Sequence, residues 1–214
     1  MNFSGFSSGF NTFFEWLMRL ALLNALWILF TILGLGVFGW APATVAMFAV
    51  LRRRLLHEED SSLMNRFIYH YKKDFWKANM IGLLLLLGVM TLFVSTQMLA
   101  FMTGFELTFF GVVVSIFAVL FFVMALFIFP VYVHYDIPLK KCLHYSLMIG
   151  IAHVHYCLFL LFGMAIITVL IYAFPGLLIF YGASLVISLV CVVSLNAFAK
   201  MEERQGQQQE QVNY

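Results

Sequence analysis

Long apolar runs alternate with short polar segments along the chain. Six such runs cover residues 14–35, 37–51, 80–101, 109–133, 147–174 and 175–199. A helix rises 1.5 Å per residue, so about 20 apolar residues cross the roughly 30 Å of hydrocarbon in a bilayer. The pattern predicts an all-α fold, a polytopic bundle of six transmembrane helices in one domain, residues 1–200. Residues 201–214 are rich in Gln and Glu and are predicted to be a disordered cytoplasmic tail.

The run at residues 37–51 is the weakest of the six spans. Its 15 residues reach about 23 Å as a helix, which is less than the hydrocarbon thickness. The arginines at 52–54 can extend its reach by directing their charges to the interface. The alternative is a re-entrant segment or a helix merged with the first run, which gives five spans and an external N-terminus. A hairpin after the first run is favoured by the turn residues Gly34, Gly36, Gly39 and Pro42.

The distribution of Lys and Arg predicts the orientation. Cytoplasmic loops of membrane proteins carry an excess of these residues. With six spans and a cytoplasmic N-terminus, all twelve Lys and Arg residues fall on the cytoplasmic side. The loops on the opposite side then contain one charged residue, Glu106. With five spans, Arg19 alone would lie on the wrong side. We therefore expect a multi-pass protein with both termini in the cytoplasm.

Composition excludes a soluble globule. Hydrophobic residues make up 64% of the chain and charged residues 10%, whereas soluble proteins carry about 25% charged residues. The formal net charge of +2 is too small for a nucleic-acid-binding surface, so we expect contact with the lipid bilayer and no nucleic acid. Three cysteines without a Cys-x-x-Cys pair support neither a disulfide framework nor a zinc site, and we expect them to be packing residues.

The polar segment between the second and third runs predicts an amphipathic cytoplasmic helix over residues 61–78. Its apolar stripe has helical spacing and consists of Met64, Phe67, Ile68, Tyr71 and Phe75. The other face carries four polar residues, which are our partner-docking candidates: Arg66, His70, Lys73 and Lys77. The helix is either an interfacial connector attracted to anionic lipid or a docking helix for a cytoplasmic partner.

A second polar segment, residues 133–147, separates the fourth and fifth runs. Pro138 disfavours helical geometry in the residue before it, so the fourth helix is predicted to end near Asp136. Lys140 and Lys141 place this segment on the cytoplasmic side.

Polar groups inside the apolar runs are the candidates for function within the membrane. They are Asn24, Gln97, His153, His155 and Asn196. Asn24 lies deep in the first run, where it is expected to hydrogen-bond another helix. His153 and His155 are two apart, so on one helix they point to nearly opposite faces and cannot share a metal. No catalytic, nucleotide-binding or metal-binding motif is present, so we expect no enzyme activity, cofactor or metal.

Several motifs in the first half of the chain resemble one family. They are Asn24–Trp27, Phe38–Thr44, the basic exit at Arg52–Arg54, and Tyr71–Gly82. These motifs resemble the YesL-like family of small Firmicute membrane proteins, which have a domain of unknown function, and the resemblance is densest over residues 10–90. It implies a bacterial plasma-membrane protein. Genes of such proteins often lie beside ABC importers and enzymes for complex carbohydrates, which implies an accessory role with importer subunits as partners. The alternative function is a small transporter or channel with a polar path between helices.

Overall fold

The computed structural model describes residues 3–56 and 62–212, which form eight α-helices and no strand. The helices are α1 (Phe3–Leu33), α2 (Trp40–Leu55), α3 (Leu63–Lys73), α4 (Phe75–Leu99), α5 (Gly104–Tyr135), α6 (Leu139–Ala152), α7 (Val154–Ala173) and α8 (Gly176–Val212). The all-α prediction is confirmed for these residues.

Five helices are long and apolar enough to cross a membrane. The five segments are Phe14–Leu33, Phe75–Leu99, Gly104–Tyr135, Val154–Ala173 and Gly176–Glu203. They agree with a multi-pass membrane protein. Helix α2 corresponds to the predicted span at 37–51 and has 16 residues, fewer than a bilayer crossing needs, so the sixth span is not confirmed.

Helix α2 is nevertheless the helix around which the bundle is built. All of its residues from Ala41 to Leu51 are buried. It contacts α1, α3, α4, α5 and α8, so protein surrounds it on every side. A helix without a lipid-facing side does not need the length or the apolar surface of a spanning helix. This explains why α2 ends in three arginines and still lies at the centre.

Helices α1 and α2 form the hairpin that the turn residues predict. Leu35 and Gly36 both have positive φ angles, 58° and 74°, which reverse the chain within a few residues. A Cβ atom at Gly39 would lie 2.7 Å from the carbonyl oxygen of Phe30 and closer still to that of Thr31. A side chain at this position would therefore force the two helices apart.

The tip of this hairpin lies beside the middle of α4. A Cβ atom at Gly82 would lie 2.7 Å from the Cβ of Ala41, at the beginning of α2. Leu86 lines the same groove as Val37 and Phe38 of the turn. From Leu86, α4 continues to Leu99, about 20 Å further at the helical rise. The second half of α4 and the first half of α5 therefore extend well beyond the hairpin, and most of their side chains are exposed. We call these two segments, residues 87–99 and 104–119, the outer halves of α4 and α5.

The helix predicted over residues 61–78 is divided in two, which corrects that prediction. Ser61 lies outside the described residues, and Ser62 caps α3 by accepting a hydrogen bond from the Asn65 N–H at 3.4 Å. The chain leaves helical geometry at Asp74, with φ −100° and ψ 5°, before α4 begins. The break turns the Asp74 carboxylate into the bundle. Apolar periodicity did not reveal it, because the stripe continues on both sides.

The predicted span at 147–174 is also divided, and this prediction was wrong at its start. Helix α6 ends at Ala152, α7 begins at Val154, and His153 between them has φ −129° and ψ 51°. A 28-residue helix would be about 42 Å long, more than the hydrocarbon thickness. The residues before the break instead pack on α5, where Val123 lies against Gly150. Hydropathy does not distinguish apolar residues that face protein from those that face lipid.

Two helix ends complete the comparison with the sequence. Helix α5 ends at Tyr135, as predicted from Pro138. Asp136 follows it in left-handed geometry, with φ 44°. Helix α8 begins directly after Pro175 and continues to Val212, through most of the segment expected to be a disordered tail. Gln, Glu and Arg are good helix formers, and this segment contains no proline.

Candidate functional site

Six polar side chains form a layer at the end of the bundle where α2 and α5 finish. We call this set the polar layer; its members are Arg52, His70, Asp74, Tyr132, His134 and Glu202. They come from α2, α3, α5, α8 and the α3–α4 break. Tyr132 and His134 are two residues apart at the end of α5, and each forms one half of the layer.

The first half of the polar layer is centred on Asp74. The Tyr132 hydroxyl donates a hydrogen bond to Oδ1 at 3.0 Å, and His70 Nδ1 lies 3.6 Å from Oδ2. Asp74 is 7% exposed. Burial by itself would raise the pKa of this carboxyl, but the hydrogen bonds from His70 and Tyr132 and the charge of Lys73 outweigh it and lower the pKa below its usual value. The carboxylate thus joins α3 and α4 to α5.

The second half of the polar layer is centred on His134. Arg52 Nε donates to His134 Nδ1 at 3.1 Å. Nδ1 must therefore be unprotonated, which places the ring proton on Nε2, 3.4 Å from Oε1 of Glu202. The ring also packs against Phe198, with centroids 4.7 Å apart. One neutral histidine thereby joins α2 and α5 to α8.

The side chains of the polar layer form hydrogen bonds between helices, and the cavities beside them are small. The cavity beside Asp74 measures about 80 Å³ and the one beside His134 about 10 Å³, which is room for water rather than for a substrate. Within residues 3–56 and 62–212, no three His, Cys, Asp or Glu side chains are placed to hold a metal ion. The cysteines are buried and unpaired, and burial raises the pKa of the Cys142 thiol to about 11.

Asn24 is inserted into the backbone of α8. Its Nδ2 donates to the carbonyl oxygen of Ile179 at 2.6 Å, and its Oδ1 accepts from the N–H groups of Ala183 and Ser184 at 2.9 and 3.2 Å. In a regular helix the Ala183 N–H would bond to the Ile179 carbonyl, so the amide of Asn24 bridges that pair. Asn24 is 1% exposed, and it makes the interhelical bond expected from its position.

The other intramembrane candidates do not gather around Asn24. Gln97 is exposed on the outer half of α4, and Asn196 is exposed on α8. His153 is buried at the α6–α7 break, and its ring lies 5.6 Å from that of the exposed His155. The opposite faces predicted for the two histidines assumed one continuous helix; the break at His153 lets the rings meet.

The four partner-docking candidates do not form one surface either. Arg66 lines a groove of about 590 Å³ together with Trp16 and Arg19 of α1. His70 turns inward to Asp74. Lys73 and Lys77 are exposed, on opposite sides of the break.

Most of the polar layer was missed in the sequence. Only His70 was a candidate site residue there, for a different role, and Arg52 was interpreted as an interfacial charge. One signal was available: Asp74 is the only acidic residue between Ser62 and Phe105, and it lies in a basic, aromatic segment. Tyr132, His134 and Glu202 carried no comparable signal, because their partners are 58 to 82 residues away in sequence.

Comparison with known proteins gives consistent matches. A family described as "Protein of unknown function, DUF624" matches residues 20–96. Three uncharacterized proteins of Bacillus subtilis are similar over most of the chain: YesV (36% identical, covering 90% of this chain and 93% of YesV), YteU (32%, 92% and 88%) and YesL (33%, 93% and 94%). No solved structure matches.

The Asn24→Ala substitution is expected to destabilise the fold by about 1–3 kcal/mol, because it removes the hydrogen bonds that the amide makes to buried backbone groups of α8. Thermal unfolding in detergent measures the effect. Asn79→Ala is the matched control, since Asn79 bonds only the Phe75 carbonyl of its own helix. Equal losses in the two variants would contradict a special role for Asn24.

The Tyr132→Phe substitution is expected to cost about 1.5–3 kcal/mol at neutral pH, because it removes a hydrogen bond to a buried carboxylate. The lowered pKa of Asp74 contributes stability above the usual carboxyl pKa of about 4, and that contribution is lost as pH falls through the folded-state value. In Tyr132→Phe the loss at acid pH should be smaller than in wild type, because the folded-state pKa of Asp74 moves back toward the usual carboxyl value, and in Asp74→Asn it should be absent.

Unfolding measured at a series of pH values checks this expectation. Tyr135→Phe is the control, because Tyr135 is at the same helix end and packs its ring against Phe198. If Tyr135→Phe lost as much stability as Tyr132→Phe, the Tyr132–Asp74 hydrogen bond would have no special role. If the stability of Asp74→Asn depended on pH as that of wild type does, Asp74 would not be the group that titrates.

Proposed function

Because the chain belongs to the YesL-like family of proteins of unknown function, DUF624, we propose that it is a non-enzymatic accessory subunit that works with a carbohydrate ABC importer in the plasma membrane. The family resemblance supplies the importer as partner class. The relatives are themselves uncharacterized, so the surfaces of this chain provide the further support.

The observation that best supports a subunit role is that the two ends of the bundle differ. The bonded end contains the polar layer, and the open end consists of the outer halves of α4 and α5. The polar layer and Asn24 place their polar groups in interhelical bonds. Beyond the α1–α2 hairpin, the outer halves of α4 and α5 expose a long series of apolar side chains, as does α7. Such surfaces suit lateral packing against the helices of another membrane protein.

The transporter alternative requires the intramembrane candidates to share a path. Asn24 is fully engaged by α8, and Gln97 and Asn196 are exposed on different helices. This arrangement weighs against a common polar path and in favour of the accessory role.

We further propose that both termini are cytoplasmic and that the α1–α2 hairpin enters from the cytoplasmic side and turns back inside the bilayer. The hairpin tip lies beside the middle of α4, and its residues Leu35, Val37 and Phe38 are exposed and apolar. In this topology α1 enters the bilayer without crossing it, although Phe14–Leu33 is long enough to cross, and four helices cross fully: α4, α5, α7 and α8. All twelve Lys and Arg residues then lie on the cytoplasmic side.

Single cysteines at three positions test this topology, in a background without the native cysteines. On intact cells, an impermeant thiol reagent should label Phe105→Cys and neither of the other two variants. Phe3→Cys should become labelled once the membrane is permeabilised, and Val37→Cys only once the protein is unfolded. Labelling of Val37→Cys from outside would establish six spans, and labelling of Phe3→Cys from outside would establish five.

Affinity purification in neutral detergent tests the partner. Wild type should recover importer membrane subunits, and Lys73→Gln with Lys77→Gln should recover fewer if the exposed lysines contribute to docking. Lys140→Gln with Lys141→Gln is the matched control, since both residues are exposed on another basic segment. No importer subunit after crosslinking, together with unchanged growth on carbohydrates when the gene is deleted, would refute the accessory role.

A further inference from the structure

A long apolar groove runs between the α1–α2 turn and the first half of α4. Its volume is about 680 Å³. The turn contributes Leu33, Leu35, Val37 and Phe38 to its walls. From α4 come side chains between Phe75 and Leu86, among them Trp76, Met80 and Leu83. Asn79 is the one polar side chain in the lining, and its Nδ2 already donates to the Phe75 carbonyl.

The length of the groove corresponds to one leaflet of a bilayer. The α4 side from Phe75 to Leu86 extends over eleven residue steps, about 16 Å at the helical rise. Half of the roughly 30 Å hydrocarbon core is about 15 Å. An acyl chain that enters beside Trp76 would therefore end near the hairpin tip. Trp76 is 78% exposed, as suits an indole at the membrane interface.

The charge at the Trp76 end is complementary to an anionic headgroup. Lys72 and Lys77 are exposed on the two sides of the α3–α4 break. Asp74 is the only acidic residue between Ser62 and Phe105, and its carboxylate points inward to Tyr132 and His70. Within residues 62–105 these lysines therefore have no exposed acidic neighbour. The exposed Asp136 lines the separate cavity beside Lys73 and Asp74, and it does not line the groove.

We propose that this groove binds one anionic phospholipid of the cytoplasmic leaflet, with an acyl chain along α4 and the phosphate group beside Lys72 and Lys77. The proposal goes beyond the accessory role and does not depend on it, because the occupant is a lipid rather than a protein. A bound lipid would cover the apolar wall between the hairpin tip and α4.

The test measures the binding of phosphatidylglycerol and of phosphatidylcholine with identical acyl chains to the full-length protein, by native mass spectrometry from neutral detergent. Wild type should retain phosphatidylglycerol preferentially. Lys72→Gln with Lys77→Gln should weaken its binding about fivefold for each charge removed. Lys140→Gln with Lys141→Gln should leave binding unchanged.

The groove itself is tested by Leu83→Trp, which fills it. Leu87→Trp is the control, because Leu83 and Leu87 are equally exposed, at 60%, one turn apart on α4, and only Leu83 lines the groove. Leu83→Trp should abolish preferential retention and Leu87→Trp should preserve it, with both variants unfolding near the wild-type temperature.

Equal retention of the two lipids by wild type would overturn the proposal. So would equal effects of the two tryptophan variants, or equal effects of the two lysine pairs. Importer capture is a separate readout: loss of lipid selectivity in Leu83→Trp with capture intact supports the groove whatever the outcome for the accessory role.

Discussion

A charged or amide side chain that is buried in this bundle needs a partner within the bundle, because burial without one is costly and lipid offers none. The constraint is strongest at α2, which protein surrounds on every side. Its last turn carries Arg52 into contact with His134, and His134 reaches Glu202 on α8. The short helix at the centre is thus held by hydrogen bonds at its basic end and by close backbone packing at Gly39.

Both helix breaks lie at buried polar side chains, which are subject to the same constraint. At Asp74 the chain leaves helical geometry and buries a carboxylate against Tyr132 and His70. At His153 the chain also leaves helical geometry, and the imidazole is buried. Hydropathy correctly predicted the five long helices and the α1–α2 hairpin, since these follow from apolar length and from glycine. It missed both breaks, because the apolar pattern on either side of each is unchanged.

The candidate site was predictable only where a residue carried its own signal. Asn24 is an amide deep in an apolar run, and its bonding to another helix followed from that position. Its partner did not, because the Ile179 carbonyl is 155 residues away and belongs to the backbone of α8. Arg52 was interpreted as an interfacial charge for the same reason: nothing near it in sequence indicates that His134 accepts its N–H. Pairing across the bundle is set by packing, which a linear pattern does not encode.

The bonded end and the open end of the bundle should respond differently to their surroundings. At the polar layer, moving a helix breaks hydrogen bonds to charged groups, and the bond from Tyr132 to the buried Asp74 carboxylate by itself is worth about 1.5–3 kcal/mol. Beyond the hairpin, α4 and α5 meet through contacts such as Phe121 on Gly88, and neighbouring side chains are apolar. In a bilayer, exchanging such a contact for lipid costs little, because acyl chains are as apolar as the side chains that they replace. A partner helix therefore competes with lipid on nearly equal terms at the open end, where shape complementarity alone can decide the outcome. At the bonded end, a partner helix would have to replace hydrogen bonds that already join the helices of this protein.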